Sequence, residues 1–178
     1  ILVSLIWLAA PLAGRRAEVP EAAEQIQVRF DAARAFLNTR NFVTSHPSRV
    51  IGSIEARQST GFLQKRFQEL GYATSYAHFD AIVAGRRQVG RNIYAFKPGR
   101  TAQILAVVAH YDTAGTTAQG AMDDGSGIGV LLELARVTSA LPTGRSLLFI
   151  ASDGEEWGML GVRDLVATYP QRDRIAAA

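Results

Sequence analysis

Residues 104–112 read Ile-Leu-Ala-Val-Val-Ala-His-Tyr-Asp, and this stretch decides the fold. Its apolar part, residues 104–109, predicts a strand that is buried on both faces, as in a parallel sheet covered by helices. A second apolar run, residues 146–151, precedes Asp153-Gly154-Glu155-Glu156. Polar residues therefore follow two buried strands directly, which is where open α/β sheets place their ligand crevices.

Helix-like and strand-like patterns alternate around these two runs. Apolar residues at helical spacing predict helices in four segments, residues 20–42, 59–70, 128–141 and 159–169. The second of these is predicted to start at Ser59 or Thr60 and to end at Gly71. Strand-like segments at 72–84 and 88–96 predict a hairpin. We therefore expect an α/β fold in three layers: a mixed, mostly parallel sheet with helices on both faces, entered by an antiparallel hairpin.

Composition limits the classes of function. The 178 residues include 48% hydrophobic and 20% charged side chains, which is ordinary for one globular domain. The formal charge of +3 comes from arginines that are scattered along the chain, so we expect no binding to nucleic acid. Cysteine is absent, which excludes disulfides and thiolate zinc sites. Any metal ion must be held by histidine and carboxylate side chains.

The chain begins with an uncharged apolar run, residues 1–13, that is followed by a pair of arginines. The run is shorter than the roughly 18 to 20 apolar residues that a membrane-spanning helix needs. We interpret residues 1–19 as a signal-peptide core or a truncated membrane anchor, with the domain in residues 20–178. Because Ile1 is first, we expect the chain to start inside a longer reading frame. We expect an exported protein, either periplasmic, secreted or membrane-anchored, that would associate with a membrane through residues 1–13.

His110 follows the first buried strand immediately, and Asp112 lies two residues further on. In an extended chain the two side chains point to the same side, so the carboxylate can hold the imidazole in one tautomer. The pair fits a metal ligand with an orienting partner. The plainer interpretation is a hydrogen-bonded structural histidine, and the pair alone does not decide between the two.

Asp123-Asp124-Gly125-Ser126-Gly127 opens a predicted helix. Helix capping and turn formation explain one acidic residue here better than two. A carboxylate on a rigid glycine turn can instead bridge two cations, while its neighbour completes the surrounding hydrogen bonds. The glycines do not have the G-x-G-x-x-G spacing of a dinucleotide loop, and the acidic residues would repel a pyrophosphate.

Glu155 and Glu156 follow the second buried strand. Adjacent carboxylates in such a place repel each other unless a cation or a shared proton compensates. With a metal ion present, one carboxylate can ligate while the other takes a proton from a bound water. The plainer interpretation is a solvated acidic turn, which the apolar residues that follow disfavour. Serine catalysis is not expected, because Ser126 and Ser152 lack a G-x-S-x-G context.

Together these motifs resemble the M28 family of zinc aminopeptidases. The order in that family is a strand ending in H-x-D, then G-A-x-D-[DN]-x-S-G, then E-E-x-G-x-x-G. The corresponding segments of this chain are residues 110–112, 120–127 and 155–161. The resemblance extends upstream to about Asp31, through His46-Pro47 and Asn92-Ile93.

The resemblance implies a site with two zinc ions. His110 would be a terminal ligand of one ion, Glu156 a terminal ligand of the other, and Asp123 the bridge between them. Glu155 would be the general base for the bridging water, and Asp112 would orient His110. The implied reaction is hydrolysis of the first peptide bond of a peptide substrate, with release of the N-terminal amino acid.

The family has two further ligands, an aspartate one strand further on and a histidine near the C-terminus. Neither is found before Ala178, because Asp164 and Asp173 follow Glu156 too closely to replace that aspartate. We therefore expect residues 20–178 to be the N-terminal portion of a peptidase domain. This portion by itself is expected to bind metal weakly and to be inactive.

Two other functions stay open at this stage. A glutaminyl-cyclase-like acyltransferase would share the fold and much of the metal pattern. A binding ectodomain could keep the fold without catalysis, although such a module has no physical need for a buried acidic pair. The oligomeric state, the native metal and the preferred N-terminal residue are not predicted.

Overall fold

A computed structural model describes residues 29–115 and 119–178. The interpretation of residues 1–19 as a signal or anchor lies outside the described residues, and so does the start of the first predicted helix, residues 20–28. Among the helices in the described part, none is long and apolar enough to cross a membrane.

The described residues form one mixed sheet. Its strands are β1 (Ala73–Val83), β2 (Arg86–Lys97), β3 (Thr101–His110), β4 (Arg145–Ser152) and β5 (Ile175–Ala177). They lie in the order β1-β2-β4-β3-β5. The pairs β1–β2 and β2–β4 are antiparallel, whereas β4–β3 and β3–β5 are parallel. The predicted hairpin and both predicted strands are therefore confirmed. β4 is buried along almost its whole length. The prediction that β3 is buried on both faces is wrong, because Leu105 is 37% and Val108 41% exposed where only the three-residue strand β5 flanks β3 on that side in the described sheet.

Helices cover both faces of the sheet, as predicted. They are α1 (Ala32–Ser45), α2 (Ile54–Glu69), α3 (Ser126–Ser139) and α4 (Leu160–Thr168). The first three pack on one face, where Phe42, Leu63 and Ile128 meet Phe149 of β4 in the larger core. On the other face, Leu165 of α4 joins a smaller core. The expected three-layer α/β architecture is confirmed.

Two short turns carry the acidic motifs. The Asp123 turn, Ala121–Gly125, leads into α3, and the backbone angles of Asp123 and Asp124 within it are not helical. The Glu155 turn is a 3-10 helical segment, Glu155–Trp157, that follows β4. A further 3-10 segment, Arg172–Arg174, precedes β5.

The predicted start of α2 is wrong. The helix begins at Ile54, and the hydroxyl of Ser53 accepts a hydrogen bond from the Ala56 N–H. Ser59 and Thr60 are buried inside the helix, where their hydroxyls donate to main-chain carbonyls three residues earlier. The predicted end is confirmed, because Gly71 takes a φ of +83° just after the helix.

Parallel pairing of β3 with β4 determines where the site lies. His110, the last residue of β3, is in register with Ser152, the last residue of β4. Because both strands run in the same direction, the residues that follow them emerge at one edge of the sheet. The His110 segment and the Glu155 turn are therefore neighbours.

Candidate metal centre

His110 lies at the centre of an acidic cluster. Its side chain is only 11% exposed, and its Nε2 atom lies 3.0 Å from Oδ1 of Asp123. The same nitrogen lies 3.8 Å from Oε2 of Glu155. The structure therefore brings together three of the predicted site residues from two strand ends and a helix start.

The Asp123 turn presents its first carboxylate to solvent and turns its second toward α3. Gly120 begins the turn with a φ of +52°, and its carbonyl accepts a hydrogen bond from the Gly125 N–H. The peptide bond between Asp123 and Asp124 is cis. The Asp123 side chain is 73% exposed. Asp123 is thus available to an ion outside the protein core.

Asp124 serves the start of α3. Its Oδ1 accepts a hydrogen bond of 2.8 Å from the Gly127 N–H. A Cβ atom on Gly127 would lie 2.2 Å from Oδ2 of Asp124, so a glycine is required for this close approach. Burial raises the pKa of Asp124. Asp124 therefore fixes the Asp123 turn through its hydrogen bond to the first turn of α3.

Asp112 is fully buried, and its carboxylate lies between His110 and the Glu155 turn. Its Oδ1 lies 3.4 Å from Nδ1 of His110, which is close but longer than a good hydrogen bond. The same carboxylate accepts hydrogen bonds from the N–H groups of Glu155, at 3.0 Å, and Glu156, at 3.3 Å. This second contact was not predicted. Asp112 therefore fixes the main chain of the Glu155 turn, whereas its orientation of the His110 imidazole stays a prediction.

The Glu155 turn lies between two glycines with left-handed backbones, Gly154 at φ +69° and Gly158 at φ +97°. The side chain of Glu155 is 40% exposed and faces His110. Glu156 is partly buried, and its main chain joins it to the cluster through Asp112. The two neighbouring carboxylates are therefore held on a short, sharply bounded turn.

The cluster carries more negative than positive charge. Burial lowers the pKa of His110, but the carboxylates of Asp112, Asp124 and Glu155 outweigh burial and raise that pKa to about 9. Without a metal ion the imidazole is therefore protonated at neutral pH. A bound cation has to displace this proton from the ring.

The donor atoms suit zinc. Imidazole nitrogen and carboxylate oxygen are common zinc ligands, and two such atoms on one tetrahedral ion lie roughly 3.3–3.5 Å apart. The nearest atoms of His110 and Asp123 are 3.0 Å apart, which is a hydrogen-bond distance somewhat shorter than that separation. Nδ1 of His110 is buried without a hydrogen bond of good geometry. Within residues 29–115 and 119–178, no group of three or more histidine or acidic side chains is arranged to hold a metal ion.

Residues that the motifs did not assign to the site hold the Glu155 segment in place. Asn92 of β2 accepts a hydrogen bond from the Asp153 N–H and donates one to the Gly161 carbonyl. Oδ2 of Asp153 accepts from the Arg91 N–H, and burial raises the pKa of Asp153 to about 7. These contacts fasten both ends of the segment to β2. They depend on tertiary burial, so no sequence spacing indicates them.

Comparison with known proteins gives a consistent family assignment. The model of peptidase family M28 matches residues 92–178. The alkaline phosphatase isozyme conversion protein of Escherichia coli K12 is 30% identical over 155 residues, which cover 74% of this chain and 45% of that protein. Aminopeptidase YwaD of Bacillus subtilis is 40% identical over 77 residues, which cover 42% of this chain and 17% of that protein. The chain therefore spans less than half the length of these curated relatives.

Solved structures share the fold. A glutaminyl cyclase from an Acidobacteriales bacterium matches with a TM-score of 0.76 and 25% identity, over 86% of this chain and 57% of that one. BSAP, a zinc aminopeptidase from Bacillus subtilis, matches with a TM-score of 0.75 and 16% identity, over 84% of this chain and 68% of that one. The second likeness concerns the fold alone.

Proposed function

The chain belongs to peptidase family M28, and from this premise we propose that it supplies the N-terminal part of a zinc aminopeptidase active site. The observation that carries the proposal is the meeting of His110 and Glu155, from the ends of β3 and β4, with Asp123 from the turn before α3. The substrate class is peptides with a free N-terminus, and the reaction is hydrolysis of the first peptide bond.

Three residues would hold two zinc ions. His110 and Glu156 would each bind one ion, and the exposed carboxylate of Asp123 would bridge them. When bound, zinc polarises the peptide carbonyl and activates a water molecule. The surplus of negative charge around His110 favours this occupancy, because a cation relieves the repulsion between the carboxylates.

Glu155 would be the proton carrier. Its carboxylate is exposed enough to reach a water or a substrate, while its main chain is fixed by Asp112. It would take a proton from the attacking water and deliver that proton to the leaving amine. Asp112 would keep His110 in one orientation and hold the Glu155 turn at a constant distance from it.

The rest of the proposal concerns the whole protein. We propose that residues 20–178 are part of a longer peptidase domain, and that an aspartate and a histidine elsewhere in that domain complete the metal shell. Residues 20–178 alone should then bind zinc weakly and turn over no peptide. We also propose export through residues 1–19, which cell fractionation of the protein would test: protein confined to the cytosol would contradict it.

The direct test uses the protein expressed from its complete reading frame. Aminoacyl-p-nitroanilides should be hydrolysed, a chelator should stop the reaction, and added zinc should restore it. A matched control substrate with a blocked N-terminus should stay intact. Hydrolysis that persists in metal-free protein would contradict the zinc mechanism, and cleavage of the blocked substrate would contradict the aminopeptidase assignment.

A glutaminyl-cyclase-like acyltransferase is the second candidate, favoured by the likeness to solved glutaminyl cyclases at 25% identity. The discriminating assay offers a peptide with N-terminal glutamine. Loss of ammonia with the peptide chain intact would identify the cyclase, whereas release of free glutamine would identify the aminopeptidase. Neither product, together with no bound zinc, would favour a non-catalytic binding ectodomain.

A further inference from the structure

We propose that Arg49 is a positioning residue. It would hold the segment after His110 at a fixed distance from the segment before Asp123 in the absence of zinc. The inference rests on the proposed function, because it assigns Arg49 to the same site. Arg49 lies in the connection between α1 and α2, and its side chain is fully buried. No motif of the sequence singles it out.

The Arg49 guanidinium is held by main-chain carbonyls. Nε donates to Tyr111 at 2.5 Å, and Nη2 donates to Gly120 at 3.2 Å. Nη1 donates to His46 at 2.7 Å and to Gln119 at 2.8 Å. One side chain therefore joins the segment after β3 to the segment before the Asp123 turn.

The main chain of Arg49 adds to this link. Its N–H donates to the Thr113 hydroxyl at 3.0 Å, and its carbonyl accepts from the Thr113 N–H at 3.3 Å. The segment from Tyr111 to Thr113 is therefore attached at both ends. Asp112 lies in the middle of that segment, and His110 directly precedes it.

The contact between Arg49 and Gly120 connects Arg49 to the turn that carries Asp123, the second proposed ligand. The Gly120 carbonyl accepts from Arg49 and also from the Gly125 N–H, which closes the Asp123 turn. A Cβ atom on Gly120 would lie 3.0 Å from Nη2 of Arg49, so the guanidinium lies directly against this residue. Arg49 thus fixes the backbone beside His110 and the backbone beside Asp123, whose side chains meet at 3.0 Å.

The shape of the guanidinium, together with its charge, makes this arrangement selective for arginine. Burial lowers the pKa of Arg49 to about 10, and the negative charge of Asp112 opposes that fall. The group therefore stays protonated at neutral pH. Its carbonyl partners compensate the buried charge, and the Phe42 ring lies 4.8 Å from the guanidinium carbon. Lysine would keep the charge but lose the planar fork that reaches several carbonyls at fixed angles.

The test compares Arg49→Lys and Arg49→Met with Lys97→Met in the protein expressed from its complete reading frame. Lys97 is a matched control, because its ammonium also donates to main-chain carbonyls, those of Ser139 at 2.8 Å and Leu141 at 2.7 Å. These carbonyls belong to the last residue of α3 and to the turn after it, whereas the site lies at the N-terminal end of α3. Zinc affinity is measured by competition with a chromogenic chelator at a temperature where every variant is folded.

Both Arg49 variants should raise the zinc dissociation constant, by about 10–100-fold, as loss of a residue that orients metal ligands does. The d–d absorption of the Co²⁺ form should change, and amides of residues 111–113 and 119–125 should exchange hydrogen faster. Lys97→Met should lose stability with zinc affinity and the Co²⁺ spectrum unchanged. If Arg49→Met does not fold, Arg49→Lys carries the comparison.

Zinc affinity in Arg49→Lys equal to that of the parent would overturn the proposal and leave Arg49 a role in stability alone. Equal weakening in Lys97→Met would also overturn it, because general destabilisation would then explain the effect. Parent protein that binds zinc but hydrolyses no peptide would contradict the proposed function, while the affinities would still test Arg49. Parent protein that binds no zinc would contradict both.

Discussion

At the scale of single residues, Asp112 connects the parts of the site. Its buried carboxylate lies beside His110 and accepts hydrogen bonds from the N–H groups of Glu155 and Glu156. In Asp112→Asn the amide group can accept only through its oxygen, so one N–H loses its acceptor and faces another donor. Zinc affinity should fall about 10–100-fold, as measured by chelator competition.

Asp80→Asn is the control for that substitution. Asp80 is 59% exposed and pairs with Arg87 on the surface of the hairpin. Loss of an exposed, solvent-screened pair should change the free energy of unfolding little and leave zinc affinity unchanged. Equal zinc affinity in Asp112→Asn and Asp80→Asn would show that Asp112 does not support the site.

Asp153 should make stability depend on pH. Its side chain is 2% exposed, and burial raises its pKa to about 7, against about 3.9 in the unfolded chain. The folded state therefore holds the proton more tightly, and stability is lost as the pH rises from about 4 to about 7. Asp153→Asn removes this titration. The free energy of unfolding of the variant should therefore increase relative to that of the parent as the pH rises from about 4 to about 7.

A pKa that rises from about 4 in the unfolded chain to about 7 in the folded protein corresponds to a relative gain on the order of 4 kcal/mol in the free energy of unfolding. Urea unfolding at several pH values measures it. Asp173→Asn is the control, because the Asp173 side chain is 93% exposed, and its profile should run parallel to that of the parent. A parallel profile for Asp153→Asn would mean that the buried carboxyl does not titrate in this range.

The candidate site residues could be predicted from sequence, because few side-chain types bind zinc and several of them stand near the ends of the strands. His110, Asp123 and Glu155 stand at motif positions, and the structure brings their side chains together. Their roles stay predictions. Arg49 could not be found in this way, because its importance comes from burial among carbonyls that are distant in sequence.

At the scale of secondary-structure elements, the crossing of α1 over α3 depends on Gly129. A Cβ atom there would lie 2.0 Å from Oγ1 of Thr39 and 2.5 Å from the Ala35 carbonyl oxygen. The carbonyl belongs to the α1 backbone and cannot move without shifting the helix. Gly129→Ala should therefore lower the free energy of unfolding by about 1–3 kcal/mol, as overpacking does.

Gly61→Ala is the matched substitution in α2. A Cβ atom on Gly61 would meet nothing within 4 Å, so the better helix propensity of alanine should stabilise the protein by up to about 1 kcal/mol. Urea unfolding of both variants gives the comparison. Stabilisation by Gly129→Ala would contradict the close helix contact.

Some elements escaped prediction for local reasons. Ser59 and Thr60 are good capping residues, but Ser53 begins α2 first and places both inside the helix. The strand β5 has only three residues and pairs through its main chain with β3, so it leaves no alternating pattern to detect. The long strands β3 and β4 were predictable because each carries a continuous apolar run, although only β4 is buried along almost its whole length.

At the scale of the whole molecule, parallel pairing of β3 with β4 generates the site. It brings residues that are more than 40 positions apart in sequence, such as Asp112 and Glu155, into hydrogen-bond contact. The sequence indicated that Asp112 and Glu155 lie close together only because an apolar strand precedes each of their motifs. The architecture was therefore predictable from the order of elements, whereas the network that binds the loops was not.

The most direct measurement of the central claim is zinc content and turnover for Glu155→Gln in the protein expressed from its complete reading frame. Because Glu155 would carry protons without binding zinc, the variant should keep the zinc content of the parent. Its turnover number should fall about 10²–10⁴-fold, while the surface control Glu69→Gln should match the parent. Undiminished turnover in Glu155→Gln, with zinc bound, would contradict the account.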